Sequence, residues 1–204
     1  MKYLVAVWFA ITLIACTSSP PTTSPVVPLT EKNFRFSYSD LQVTFKIPFS
    51  LLPSFDRQKP QVADHNGRHF VFYRLAPIYS KKFQTSITPN LSFVFEEVPP
   101  GSTPDQYREF MRKEILQNHN ASLVNEDPLA LKFQTEHTSV DIFRITGKEN
   151  IPDITFSQYQ IVGRYIVNTS IEFTEDQYFE NNKEIEGIVG SLRISSANET
   201  VPKV

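Results

Sequence analysis

From Phe34 onward the chain alternates apolar and polar positions. Phe34, Phe36 and Tyr38 form one series, and Leu41, Val43, Phe45 and Ile47 a second, with Ser39-Asp40 between them. A period of two turns one face of each run inward, and the two-residue break predicts a β-hairpin. From 48 to 68 the alternation is lost. That stretch holds Pro48, Pro53 and Pro60, closes on an Asn66-Gly67 turn signal and reads as irregular. His69–Leu75 and Asn90–Val98 read as strands, and Leu129–Phe133 and Val140–Gly147 as weaker ones. Ile154–Val162 and Arg164–Phe173 form the clearest pair, turning at Gly163, with Tyr165, Val167, Thr169, Ile171 and Phe173 on one face.

Two segments change to helical spacing. Thr103-Pro104-Asp105-Gln106 is a capping box with proline at the first helical position. Tyr107, Phe110, Met111 and Ile115 then share a stripe. Thr174-Glu175-Asp176-Gln177 repeats the box, and Tyr178, Ile185, Ile188, Val189 and Leu192 continue it as one helix that carries Gly187 and Gly190. The order strands, helix, strands, helix predicts an α+β fold: an antiparallel β-sheet with helices packed on it.

The first residues follow another logic. Lys2 precedes Tyr3–Ala15, apolar except for Thr12 and shorter than the ~20 residues a spanning helix needs. The run ends Leu13-Ile14-Ala15-Cys16, which resembles the bacterial lipobox. The resemblance implies a signal peptide over 1–15, diacylglyceryl transfer to the Cys16 sulfur, cleavage before Cys16 and acylation (palmitate-type) of the new amine. Two or more acyl chains give stable anchoring, whereas one binds only marginally. Thr17, and not Asp, follows the cysteine. That implies the outer membrane, facing the periplasm, with the outer face of the inner or Gram-positive membrane as the alternative.

Residues 17–33 read TSSPPTTSPVVPLTEKN, and with Cys16 they form a Pro/Ser/Thr-rich tether over 16–33 that has no apolar series to bury. Residues 34–194 are long enough for one core, and 195–204 read as a polar, flexible tail. The chain has one cysteine among 204 residues, so no internal disulfide is available. Its net charge of −2 gives no basic face, which argues against nucleic acid, and no polybasic run marks it for anionic lipid.

The segments DLQVTFKIP, NLSFVFEEV, and QYQIVGRYIVNTSIEF leading into FENNKEIEGIVGSLRI are similar to the PsbP/DcrB-like family of envelope and lumenal domains. The turn after the second strand, Pro48-Phe49-Ser50-Leu51-Leu52, lacks the Gly and Trp common there. The resemblance implies a sheet between helices and docking onto larger membrane assemblies without turnover.

Catalytic patterns are sparse. His65 and His69 are four apart, but Asn66-Gly67 breaks any helix between them; His119 and His137 stand alone. Six glycines make no phosphate cradle, and no G-x-S-x-G elbow occurs. Glu96 and Glu97 fall on opposite faces of a strand. Asp176, Glu180, Glu184 and Glu186 read as a solvated helix face. The sequons at Asn90, Asn120, Asn168 and Asn198 read as coincidence in a bacterial chain. No cofactor, metal or catalytic residue is expected. The expected function is a non-enzymatic envelope lipoprotein with a protein partner and lipid attachment at Cys16. The alternatives are a carrier of a small apolar ligand, using the aromatics, and a hydrolase assembled around Asp64, His65 and His69.

Overall fold

The computed structural model describes residues 31–118, 120–124, 126–146 and 152–196. The signal segment, Cys16, the tether through Thr30, His119, Gly147, Asn198 and the rest of the tail lie outside them. The strands are β1 (Glu31–Tyr38), β2 (Leu41–Pro48), β3 (Gln61–His65), β4 (Arg68–Arg74), β5 (Ile78–Ser80), β6 (Thr85–Ile87), β7 (Asn90–Glu97), β8 (Ala121–Leu123), β9 (Thr138–Thr146), β10 (Pro152–Val162), β11 (Tyr165–Thr174) and β12 (Arg193–Ser196). The helices are α1 (Pro104–Asn118), α2 (Pro128–Phe133), α3 (Glu175–Glu180) and α4 (Asn182–Ser191). The fold is α+β with antiparallel sheets, as the alternation predicts.

One sheet has seven strands in the order β3-β4-β7-β11-β10-β9-β8, and a second has three, β1-β2-β12. The three-stranded sheet and α4 cover one face of the large sheet, and α1 covers part of the other. The inward positions of β2 (Leu41, Val43, Phe45, Ile47) meet Phe93, Phe95, Val167 and Ile171 in the main core. Phe34, Phe36, Phe45, Tyr73 and Phe93 pack ring on ring, with centroids 5.1–6.5 Å apart. The aromatics that a carrier would spend on a cavity wall are stacked on one another, each such pair adding about 0.5–1.5 kcal/mol beyond burial.

Several expectations need correction. Leu129–Phe133 is the helix α2 and not a strand: the Asp127 carboxylate accepts from the Leu129 amide at 2.8 Å, and Pro128 sits at the first helical position. The stretch 48–68 hides β3, a fully exposed edge strand whose Asn66 and Gly67, both at positive φ, turn it into β4. The last helix is broken at Asn181, whose side chain donates to the Gln177 carbonyl at 2.7 Å. Residues 31–33 belong to β1 and residues 195–196 to β12, so part of the expected tether and tail is strand. Of the α1 stripe, Tyr107 is buried, but Phe110 is 53% exposed.

Both capping boxes form. Thr103 N donates to Gln106 Oε1 at 3.0 Å and Gln106 N to Thr103 Oγ1 at 3.2 Å. At the second, Thr174 N donates to Gln177 Oε1 at 3.3 Å, and the Gln177 amide group also donates to the Ile78 carbonyl at 2.8 Å. Asp176 is not the solvated acid that its spacing implies. It accepts from Thr174 Oγ1 (2.7 Å), Ser80 Oγ (2.8 Å) and the Lys82 amide (3.3 Å), which ties the β5–β6 hairpin to α3. Burial acts to raise its pKa, but these hydrogen bonds outweigh it and hold the carboxyl at about 2, below its ordinary value.

A depressed folded pKa stabilises above the unfolded value near 3.8 and loses that contribution as pH falls through about 2. Asp176→Asn should therefore cost about 1–2 kcal/mol at neutral pH after solvent screening. The difference between parent and variant should shrink between pH 4 and pH 2. Urea midpoints across that range measure it; a constant difference would mean that the charge is not what holds the hairpin.

Candidate functional site

The seven-stranded sheet is only partly covered on its α1 side. The helix packs against β8, β9 and β10. It is held there by polar pins: Ser139 Oγ donates to Asp105 at 2.6 Å, and Arg112 reaches Asp141 with Nη2 at 2.6 Å and Nε at 3.3 Å. At its margin Tyr107 Oη and Arg68 Nε both donate to Glu96 Oε2, at 2.6 and 2.8 Å. Burial pushes Tyr107 well above its ordinary range, with the Glu96 hydrogen bond adding to it, so the phenol stays a donor.

Beyond α1, on β4, β7 and β11, the same face is an open trough. The sheet beneath it is small and polar because the alternate positions of the strands are: Ser92, Ser170 and Ser157 stand side by side in register, with Asn168 one row away, and all four are buried, Ser92 alone lining the trough. Ser170 Oγ donates to Asn168 Oδ1 at 3.2 Å and lies 3.1 Å from Ser157 Oγ. Phe70 and Phe72 rise from β4 as a wall, with their rings 5.8 Å apart and nearly parallel. Gln61, Phe72, Arg74, Asn90, Ser92 and Glu172 enclose about 260 Å³. Arg57 and Lys59 extend the rim into an adjoining depression of about 230 Å³. At the trough's end burial, with Glu172 nearby, lifts Asp153 to about 6. The Gln61 and Asn90 amides, the aromatic wall and charges of both signs can bind a polar surface through hydrogen bonds.

The residues singled out for hydrolysis are only partly assembled. Asp64 and His69 are register partners across β3–β4, with Oδ1 and Nδ1 2.7 Å apart, and the imidazole stacks on Tyr38 at 4.2 Å. His65 is exposed beside Arg68, outside the pair. The Asp64 side chain is 81% exposed, and the turn hydroxyl of Ser39 accepts from Tyr165 Oη at 3.1 Å. His137 lies at an exposed turn 3.0 Å from Glu136. These two line a depression of about 520 Å³ with Ser102, Thr103, Gln160 and Ile161, a mixed wall and not an apolar cavity. Among the described residues, no three His, Cys, Asp or Glu side chains converge as a metal site.

Glu96 and Glu97 do part to opposite faces: Glu96 takes Arg68 and Tyr107, and Glu97 meets Arg164 at 3.4 Å. The trough itself escaped the sequence analysis. Its signal was present as polar residues in the outward phase of β7, β10 and β11, but nothing along the chain says where α1 stops covering them.

No protein-family model matches the chain, and a search of curated proteins finds no match.

Proposed function

We propose that the protein is a lipid-anchored lipoprotein of the bacterial envelope, and that its domain is a non-enzymatic docking module for an envelope protein. Anchoring rests on Leu13-Ile14-Ala15-Cys16, which ends 15 residues before β1. Thr17 favours the outer membrane, with the domain in the periplasm. The observation that carries the docking role is the open trough on β4–β7–β11, where Phe70 and Phe72 stand half-exposed beside Gln61, Arg74 and Asn90. An antiparallel sheet face exposed to water is commonplace when wholly polar; an aromatic wall on it is the mark of a contact surface. The PsbP/DcrB-like resemblance, with its implied docking onto membrane assemblies, agrees with this.

The test is a photo-reactive side chain placed at Phe72 of the full chain, irradiated in intact cells. One dominant protein adduct is expected, absent when the same group replaces the exposed His65 at the far turn. Adducts equally abundant from both positions, or none from Phe72, would overturn the docking role.

A further inference from the structure

We infer that the end of the domain from which the chain runs back to Cys16 is itself a contact surface for a bilayer with anionic headgroups. Phe55 and Phe49 enter the headgroup layer, and Lys32, Arg57, Lys59 and Arg74 meet its phosphates. The inference rests on the lipid-anchor reading. Glu31 pairs with Pro48, so the first residue of β1 lies against the last of β2, and Phe49 follows at once. The turn Phe55–Arg57 folds onto the same place: Lys32 Nζ donates to Gln58 Oε1 and stands 6.0 Å over the Phe55 ring. Arg74 ends β4 here, because the next amide but one, Ala76, donates to the Leu51 carbonyl at 2.8 Å.

Phe55 is 86% exposed and Phe49 47%. Neither adds to the core, and Lys32 stands over the Phe55 ring. Arg57, Lys59 and Arg74 line one depression with Gln61 and Phe72 and form no ion pair with a described residue. Of the acids nearby, Glu31 is taken by Lys46 at 3.2 Å, Asp56 lies in the same turn as Phe55, and Glu172 lines the adjoining depression with Arg74. Four cations thus gather from positions 32, 57, 59 and 74, where no run of basic residues exists.

Residues 17–30 alone separate Cys16 from this end. A flexible chain of that length has an end-to-end distance of about 20 Å, and a fully extended one about 45 Å. The tether therefore keeps this end close to the bilayer at millimolar effective concentration. A contact too weak to hold a free domain suffices, and it would fix the domain's orientation.

The single Trp of the chain is Trp8, inside the signal segment, so the chain from Cys16 onward has none. Phe55→Trp then makes a lone reporter on an exposed side chain that folding does not need, and His65→Trp is its counterpart at the opposite end of the β3–β4 hairpin. Each variant, as the chain from Cys16 to Val204, is coupled through the Cys16 thiol to a maleimide lipid in vesicles of phosphatidylethanolamine and phosphatidylglycerol that carry brominated acyl chains.

A ring seated about 5–10 Å into the interface is within reach of the bromines, so emission at position 55 should move to the blue and fall by about half. Emission at position 65 should not change. Each cation near an anionic surface weighs about fivefold in the contact, so Arg57→Glu with Lys59→Glu should return position 55 to its solution spectrum. Position 55 unquenched, position 65 quenched equally, or the same quenching in phosphatidylcholine alone would each overturn the inference. The coupling is chemical, so the result does not depend on whether cells lipidate Cys16, which palmitate labelling of Cys16→Ser tests separately.

Discussion

Cys16→Ser is expected to abolish incorporation of lipid label and to leave the chain uncleaved, with the apolar Tyr3–Ala15 run still attached. The lipobox reading gives Cys16 both the diacylglyceryl group, on sulfur, and the later acyl chain, on the new amine. Serine has no thiolate to take the lipid, and without it the cleavage that frees the amine does not follow. At ~0.8 kcal/mol per buried methylene, two or more chains hold a protein firmly, and their loss removes that term whole. Retention in the pellet does not separate parent from variant, because the uncleaved variant keeps the apolar Tyr3–Ala15 run. Labelled palmitate should enter the parent and not the variant, and the variant should keep the mass of the uncleaved chain. Equal label in parent and variant would end the lipoprotein reading.

Arg112→Leu is expected to destabilise the domain by about 2–4 kcal/mol, the cost of leaving a buried carboxylate without its partner when the partner is itself partly exposed. Asp141 is 4% exposed and receives two hydrogen bonds from this one guanidinium. Burial already raises the Asp141 pKa despite Arg112; without the arginine only the weaker influences of Arg108 and Glu109 remain beside the desolvation. The sign follows. A raised folded pKa means that the stability contribution is present at low pH and lost as pH rises through the folded value. The variant's deficit should thus be greater at pH 8 than at pH 5. Arg112→Leu with Asp141→Leu should recover most of the loss, because an apolar pair can replace a buried ion pair at little cost. Chemical denaturation of the four members of the cycle gives both numbers. A deficit independent of pH and unrelieved by the second substitution would mean that Arg112 acts through packing alone.

The fold was legible wherever a period was long and its turn local. The β1–β2 and β10–β11 hairpins follow from alternation around Ser39-Asp40 and Gly163, since a half-buried strand must place every second side chain inward. Both capped helix starts follow from Thr-x-x-Gln, because the box satisfies amides within one turn of chain. The failures were short elements whose partner is remote. Residues 128–133 are apolar enough to read as a strand, and one buried Asp127 cap makes them helical. Strand β3 is exposed at every position and exists because β4 offers it an edge.

Sequence alone determined the address as an expectation, since Leu13-Ile14-Ala15-Cys16 is a linear signal, together with the α+β class. Only the tertiary structure decided which outward-facing polar residues α1 covers and which it leaves as a trough. It also brought Lys32, Arg57, Lys59 and Arg74 together around two exposed phenylalanines. Periodicity fixes the face on which a side chain lies, but the pairing of strands remote in sequence fixes its neighbours, and a surface that binds is made of neighbours.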